Sequence, residues 1–91
     1  MIFEFTEEAR DQLAHWQRHD RAKVKRIKTL LEAVAVNAFA GIGKPEPLKF
    51  ALAGHWSRRI DQEHRLVYRV DAEVCTVVAC RFHYDRQGKA T

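Results

Sequence analysis

Apolar residues recur at helical spacing through the first third of the chain. Ala9, Leu13 and Trp16 form one apolar stripe behind Thr6, a residue type that commonly caps helix N-termini. A second stripe follows Asp20, another capping residue, and it consists of Val24, Ile27, Leu30, Leu31 and Val34. Two short amphipathic helices in succession predict an antiparallel helix hairpin.

The pattern changes to a period of two in the second half of the chain. Alternating apolar and polar positions predict three strands, at residues 56–60, 64–70 and 74–84. The polar turns at 61–63 and 71–73 are short, so consecutive strands are expected to pair antiparallel. Residues 1–5 are expected to pair at a sheet edge, and residues 48–52 to add a strand or a helical turn.

The order of these elements predicts the fold class. Helices followed by strands predict an α+β domain, with the N-terminal helix hairpin packed on one face of a small antiparallel β-sheet. Of the 91 residues, 46% are hydrophobic and 31% charged, so we expect one domain spanning 1–91, with 85–91 as a flexible tail. The sequence shows neither a membrane-spanning apolar run nor a signal peptide, which predicts a cytoplasmic protein without a membrane partner.

The register of the last two strands decides which side chains share a face. If the 71–73 turn pairs Val70 with Val74, the last strand turns one set of side chains toward the helices: Val74, Thr76, Val78, Cys80 and Phe82. The opposite face would then carry basic side chains from all three strands: Arg59, Arg65, Arg81 and His83.

Three further residues are interpreted from strand geometry. Arg58 falls on the helix side of its strand, so we expect either a rim position with the charge in solvent or a bulge. Cys75 and Cys80 are five residues apart, which places them on opposite faces of a regular strand and prevents a bridge between them.

Charge is divided unevenly along the chain. Residues 1–20 contain two basic and five acidic residues, whereas residues 21–91 contain fourteen basic and seven acidic residues. The second predicted helix contributes five of these bases: Arg21, Lys23, Lys25, Arg26 and Lys28. Such an excess is typical either of a surface that binds a polyanion or of an ordinary solvated face, and charge alone does not decide.

Three side chains in the second half of the chain could form a catalytic site, two by acid–base chemistry and one by binding an anion. Glu46 lies between Pro45 and Pro47, which restrict its backbone and would present its carboxylate as a base. His83 titrates near neutral pH, and Arg65 offers a charged fork for a phosphate. Each of the three also has a plain interpretation as an exposed surface residue.

Together these groups could cleave RNA without a metal. A base takes the 2′-OH proton, an acid protonates the leaving 5′-oxygen, and arginine stabilises the charge that develops on phosphorus. Tyr84 follows His83 and would point to the opposite face of a regular strand. It therefore joins these catalytic groups only if the strand ends or twists there. His15 and His19 have metal-ligand spacing but lack the HExxH glutamate, so neither a metal nor a cofactor is expected.

Four segments in succession resemble the YoeB toxins of the RelE/ParE toxin superfamily. They are KPEPLK at 44–49, GHWSRRI at 54–60, EHRLVY at 63–68 and ACRFHY at 79–84. Four motifs in the right order are far more specific than any one of them. The resemblance covers nearly the whole chain, from Phe3 to Tyr84.

The resemblance implies a toxin of a type II toxin–antitoxin module with a RelE-like microbial ribonuclease fold. Such toxins bind the ribosome, cleave mRNA in the A site and inhibit translation. In this sequence the general base would be Glu46, the phosphate-stabilising residue Arg65 and the general acid His83, with Tyr84 orienting the substrate. Three more basic residues are assigned to RNA or phosphate binding, Lys49 and Arg59 from the resemblance and Arg81 from the register.

The implied partners are a YefM-type antitoxin protein, the ribosome with its rRNA, and mRNA; homodimers are common among such toxins. Two features depart from the pattern: residues 85–91 follow the terminal His-Tyr pair, and residues 50–51 are more apolar than usual. Two other functions remain open. One is gyrase poisoning by a branch of the superfamily that lacks this catalytic set, and the other is a non-catalytic RNA- or protein-binding module.

Overall fold

The helix hairpin forms as predicted. A computed structural model describes residues 1–83, so the expectations for Tyr84 and for the 85–91 tail lie outside the described residues. The hairpin consists of α1 (Glu7–His19) and α2 (Arg21–Val36). No helix within the described residues is long and apolar enough to cross a membrane.

Both helices begin at the predicted capping residues. The Ala9 amide donates to Oγ1 of Thr6 (3.2 Å), and the Ala22 amide donates to the carboxylate of Asp20 (3.1 Å). Each cap satisfies one of the amides that a helix N-terminus leaves without an intrahelical partner. Asp20 also ends α1, because its own amide donates to the Trp16 carbonyl (2.8 Å). One residue therefore separates the two helices.

Within residues 1–83, five strands form one sheet beside the helices. They are β1 (Ile2–Phe5), β2 (Glu46–Pro47), β3 (Trp56–Arg59), β4 (Arg65–Asp71) and β5 (Val74–Ala79). Their order across the sheet is β1-β5-β4-β3-β2. A 3₁₀ turn at Phe50–Leu52 follows β2, which agrees with the expected helical turn in that region.

The sheet is mixed, whereas the prediction was an antiparallel sheet. β1 pairs at the edge as expected, but it runs parallel to β5, with Phe3 opposite Cys75. The antiparallel prediction rested on short turns, and these join β3 to β4 and β4 to β5. Both helices and three strands separate β1 from β5, so no turn constrains their relative direction.

The main core lies between the helices and one face of the sheet. The helices contribute Ala9, Trp16, Ile27, Leu30 and Val34, and the sheet side contributes Ile60, Leu66, Tyr68, Cys75, Val77 and Cys80. A smaller cluster of Leu48, Val67 and Ala79 lies on the other face, with Leu52 and Val78 packed against it. The helix hairpin thus covers one sheet face, as predicted.

The turn between β4 and β5 is one residue shorter than expected. Asp71 pairs with Val74, so only two residues lie in the turn. Ala72 has a φ of 51°, the positive value that two-residue hairpin turns require at their first central position. The one-residue change of register turns the first half of β5 over. The prediction that Val74, Thr76 and Val78 face the helices was therefore wrong.

A β-bulge in β5 shifts the register back by one residue before the strand ends at Ala79. Val77 lies opposite Tyr68, but Ala79 lies opposite Val67, so one extra residue is accommodated in β5. Because the bulge changes the parity, Cys75 and Cys80 both join the core against the helices. The prediction that these two cysteines lie on opposite faces was wrong. Both are buried free thiols.

Arg58 is fully buried on the helix side of β3, so both expectations for it were wrong. Its Nε donates to the hydroxyl of Tyr68 (3.1 Å). Its two Nη atoms donate to three main-chain carbonyls in the loop after α2, those of Asn37, Ala40 and Ile42. A guanidinium can be buried where its donors reach acceptors in this way. These bonds attach the loop to β3.

Candidate active site on the open sheet face

We call the sheet face turned away from the helices the open face. Strand pairing places one row of residues across it, from β2 to β5: Glu46, Ser57, Val67 and Ala79. In the next row Arg59 of β3 lies opposite Arg65 of β4, as the register predicted. The open face therefore brings a carboxylate and two guanidinium-bearing residues together on adjacent strands.

Glu46 lies in the short strand β2, whereas the glycines and prolines between Asn37 and Pro47 predicted a loop. It pairs with Ser57, and its side chain is partly buried. The segment before it is fixed to β3, because the Arg59 amide donates to the Gly43 carbonyl (2.7 Å). Gly43 has a φ of 83°, and an added Cβ would lie 2.8 Å from Cδ2 of Leu30. Only glycine fits there without displacing the core, so the main chain before Glu46 packs directly against Leu30.

Arg65 is held by the turn that precedes β4. Its Nη1 donates to the carbonyls of Asp61 (2.8 Å), Gln62 (3.2 Å) and His64 (3.1 Å), and the residue is 7% exposed. Among the described residues, its Nε and Nη2 make no hydrogen bond. The side chain is thus positioned by one nitrogen and keeps two others with donor capacity for an anion.

The charged groups around Arg65 shift its pKa. Burial lowers the pKa of Arg65, and the adjacent Arg59 charge lowers it further, whereas the carboxylates of Asp61 and Glu46 raise it. The Glu46 carboxylate is therefore close enough to Arg65 to interact with its charge. Arginine stays protonated despite such shifts. Two positive groups and one carboxylate consequently share one patch, a composition suited to holding a phosphate beside a base.

His83 directly follows Phe82, which is hydrogen-bonded to the first residue of β4. The Arg65 amide donates to the Phe82 carbonyl (2.9 Å), so the backbone preceding His83 lies directly against that of Arg65. His83 is partly buried. The structure thus brings the backbones at Arg65 and His83 together, although β5 has already ended at Ala79.

Lys49 borders the open face and Arg81 does not. Lys49 is exposed and lies between Leu48, which packs on the open face, and the 3₁₀ turn. The guanidinium of Arg81 instead lies 4.8 Å from the Phe82 ring and 5.9 Å from the Trp16 ring of α1. The predicted face for Arg81 was wrong, because the chain bends after Ala79. Tyr84 lies outside the described residues.

The comparisons identify the family. A family model described as "YoeB-like toxin of bacterial type II toxin-antitoxin system" matches residues 5–84. The chain belongs to this family of toxins. The resemblance seen in the four sequence motifs is thereby confirmed, and the chain is a toxin-family member of a type II toxin–antitoxin system.

Individual relatives match this toxin over nearly its whole length. Toxin YoeB of Synechocystis sp. is 48% identical over 86 residues, which cover 94% of this chain and 100% of that protein. The solved YoeB/ParE toxin from Agrobacterium tumefaciens is 46% identical, with a TM-score of 0.89, covering 92% of this chain and 100% of that one.

A third relative, YoeB of Staphylococcus aureus, has been solved in two assemblies. One is a YoeB dimer, with a TM-score of 0.87 to this toxin, and the other is a heterotetrameric YoeB–YefM complex, with a TM-score of 0.86. Both chains are 42% identical to this toxin and cover 92% of it, with 98% of each covered in return. The α+β fold of this toxin is therefore the fold of these solved family members.

His64 is a residue of this toxin that the sequence did not single out. Its Nδ1 accepts a hydrogen bond from the Phe82 amide (2.8 Å), and its ring packs edge-on against Trp16. The spacing of eighteen residues between His64 and Phe82 carried no signal for this contact, because it depends on the bend after β5.

Proposed function

We propose that this toxin is a ribosome-dependent endoribonuclease that cleaves mRNA in the A site and so inhibits translation. The observation that carries the proposal is the open-face cluster, in which strand pairing places Glu46, Arg59 and Arg65 on three adjacent strands. The backbone at His83 meets this cluster through the Phe82–Arg65 bond. A base, an anion clamp and a titratable acid are the groups that RNA transesterification needs.

The reaction follows from the chemistry of these groups. Glu46 accepts the 2′-OH proton, and the 2′-oxygen attacks phosphorus. Arg65 donates through Nε and Nη2 to the phosphate oxygens, whose charge grows in the transition state. His83 protonates the departing 5′-oxygen, leaving a 2′,3′-cyclic phosphate on one fragment. No metal or cofactor takes part in this scheme.

Other residues are proposed to bind the substrate. Lys49 and Arg59 border the cluster and would bind flanking phosphates, and Tyr84 would orient the nucleotide at the scissile bond. Arg81 is proposed to bind RNA from the α1 side, since its guanidinium lies over Trp16 rather than on the open face.

The proposed partners are the ribosome, mRNA and a YefM-type antitoxin, in the cytoplasm where translation occurs. The Staphylococcus aureus relative supports the antitoxin assignment, since it forms a complex with YefM, and its dimer supports a homodimer of this toxin. The excess of basic residues after residue 20 is the charge that an RNA partner would favour.

Cleavage of ribosome-bound message tests the proposal. Antitoxin-free toxin is added to a reconstituted translation mixture, and the mRNA ends are mapped with and without ribosomes. We expect cuts in the A-site codon that depend on ribosomes. Glu46→Gln and His83→Gln are each expected to lower the cleavage rate by at least about 100-fold, the usual contribution of a general acid or base.

Matched controls separate a local effect from a general loss of charge or fold. Glu73→Gln and His19→Gln alter the same residue types at exposed positions and are expected to leave the rate unchanged. Intact message beside folded wild-type toxin would overturn the proposal. Damaged DNA with intact message would instead favour gyrase poisoning, and salt-sensitive ribosome binding without cleavage would favour a binding module.

A further inference from the structure

The segment between β5 and His83 leaves the sheet through a bend. Phe82 has a φ of 73°, a left-handed value that bulky residues rarely adopt. Such a conformation persists only where surrounding contacts determine it. Because His83 is the next residue, the contacts that hold Phe82 also set the backbone from which the proposed proton donor extends.

Helix α1 holds the start of this bend at Cys80. The Cys80 amide donates to Oε1 of Gln12 (2.7 Å), and Nε1 of Trp16 donates to the Cys80 carbonyl (2.8 Å). Gln12 and Trp16 are both buried, so these bonds are shielded from water. The bend therefore begins from a fixed point against α1.

The start of β4 holds the end of the bend at Phe82. The Phe82 amide donates to Nδ1 of His64 (2.8 Å), and the Phe82 carbonyl accepts from the Arg65 amide (2.9 Å). Within residues 1–83, His64 is the one side chain that bonds to the Phe82 main chain. The His64 imidazole thus holds the Arg81–Phe82 peptide and the Arg65 amide holds the Phe82–His83 peptide that follows, so the two bonds together fix the backbone of Phe82 on both sides.

The His64 ring is fixed from two sides. It packs edge-on against Trp16, with ring centroids 4.8 Å apart and planes at 76°. Its Nε2 lies 3.2 Å from a carboxylate oxygen of Glu63. Since Nδ1 accepts a hydrogen bond, this pattern assigns the ring proton to Nε2, where Glu63 accepts it.

We propose that His64 is a positioning residue for the cleavage reaction: its Nδ1 holds the Phe82 amide and thereby places His83 at the scissile linkage. The consequence for rate rests on the proposed nuclease function, whereas the structural role of Nδ1 stands independently of it. Misplacing a catalytic group by about 1 Å costs as much as about 100-fold in rate.

Three variants separate the Nδ1 contact from the packing of the ring. His64→Phe keeps an aromatic ring against Trp16 but removes the acceptor. His64→Asn loses the ring but places Oδ1 where Nδ1 was, so it can accept from the Phe82 amide. His64→Gln places its carbonyl oxygen near the position of Nε2 and cannot replace Nδ1.

Kinetics and stability of the antitoxin-free toxin provide the first readout. We expect His64→Phe and His64→Gln to lower kcat on ribosome-bound mRNA by about 10- to 100-fold, with KM changed by less than about twofold. We expect His64→Asn to keep at least about a third of the wild-type kcat, even where its Tm falls. A purely packing role predicts the reverse order, with His64→Phe the most active variant.

Amide exchange and NMR provide a readout that needs no cleavage. The Phe82 amide is expected to be protected in the wild type and in His64→Asn, and to exchange faster in His64→Phe and His64→Gln, with the His83 ring resonances shifted in those two variants. If His64→Phe leaves the Phe82 exchange rate, the His83 resonances and kcat unchanged, the positioning role is overturned. If the wild type shows this NMR pattern but cuts no message, the nuclease proposal fails and the role of Nδ1 stands.

Discussion

Two buried arginines perform different tasks in this toxin. Arg58 is 0% exposed and Arg65 is 7% exposed, and both donate to main-chain carbonyls. Arg58 distributes its bonds over Nε and both Nη atoms, which commits the whole guanidinium to the protein. Arg65 uses Nη1 alone among the described residues. The same side chain therefore commits all of its nitrogens to the protein at one position and, within residues 1–83, only one of them at the other.

The first prediction concerns Arg58. Arg58→Met removes the hydrogen bonds that the buried guanidinium donates to the carbonyls of Asn37, Ala40 and Ile42, and a hydrogen bond to a charged group contributes about 1.5–3 kcal/mol. We expect a loss of at least about 3 kcal/mol in the free energy of unfolding, measured by urea titration. Arg69→Met removes an arginine from an exposed position of β4 and is the control, with a change below about 0.5 kcal/mol. An equal effect of the two substitutions would contradict the assigned role of Arg58.

At the scale of elements, one ion pair joins α2 to the turn between β3 and β4. Nζ of Lys23 lies 2.7 Å from Oδ2 of Asp61. The other carboxylate oxygen of Asp61 accepts the amides of Glu63 (2.8 Å) and His64 (2.6 Å). Because the Asp61 carbonyl also accepts from Arg65, this turn connects the helix layer to the candidate site. One aspartate thus orders the turn and ties it to α2.

The second prediction concerns pH. Burial alone would raise the pKa of Asp61, but the bonds from Lys23 and from the His64 and Glu63 amides lower it to about 2, from 3.8. A folded-state pKa below the unfolded value stabilises the fold above about pH 4, and this contribution is lost as pH falls from 3.8 toward 2. Asp61→Asn keeps an amide acceptor and removes the charge. We expect it to cost about 1–2 kcal/mol at pH 7, after allowance for partial exposure.

Urea titrations at pH 7, 4 and 2 measure this effect. The difference between the wild type and Asp61→Asn should shrink as pH falls below about 4 and be mostly lost by pH 2, where about half of the wild-type carboxyl is already protonated. Asp71→Asn breaks an exposed pair with Arg69 and should show no such dependence. A difference for Asp61→Asn that stays constant between pH 7 and 2 would rule out the charge as its cause.

At the scale of the whole molecule, unequal apolar clusters on the two sheet faces leave room for the site. The large cluster fills the space between sheet and helices, whereas the small one covers only the part of the open face around Val67. The rows that carry Glu46, Arg59 and Arg65 lie beside this small cluster. The candidate site thus occupies the part of the sheet that the helices do not cover.

The third prediction uses the two thiols as probes of global unfolding. Burial raises the pKa of Cys75 to about 11 and that of Cys80 to about 12, so the reactive thiolate is scarce in the folded toxin. Both belong to the main core, so both are expected to react only when that core opens. At pH 8 we expect labelling by a thiol reagent at least about 1,000-fold slower than at an exposed cysteine introduced by Thr29→Cys.

Quantified mass spectrometry of the labelled peptides distinguishes the two sites. Equal rates for Cys75 and Cys80 are expected if one cooperative opening exposes both, and denaturant should accelerate both equally. Rapid labelling of Cys80 alone would mean that the bend after β5 opens locally, and it would contradict their assignment to one cooperative core.

Local signals predicted much of the fold. Thr6 and Asp20 predicted both helix starts, because a cap acts on amides two or three residues away. Alternation predicted β3, β4 and the start of β5, although it missed β2 and carried the last strand beyond its end at Ala79. The short turn after β3 predicted the pairing of Arg59 with Arg65. The parallel edge and the bulge escaped prediction, since they depend on contacts between distant segments and on one extra residue that alternation does not mark.

What the sequence by itself determined is the set of elements and the family, because capping, periodicity and ordered motifs act over a few residues. What only the tertiary structure decided is which distant groups meet. The carbonyls that accept from Arg58 belong to a loop about twenty residues away, and Nδ1 of His64 meets the Phe82 amide only because the chain bends after β5. Such contacts depend on how the elements pack, and local patterns do not contain that information.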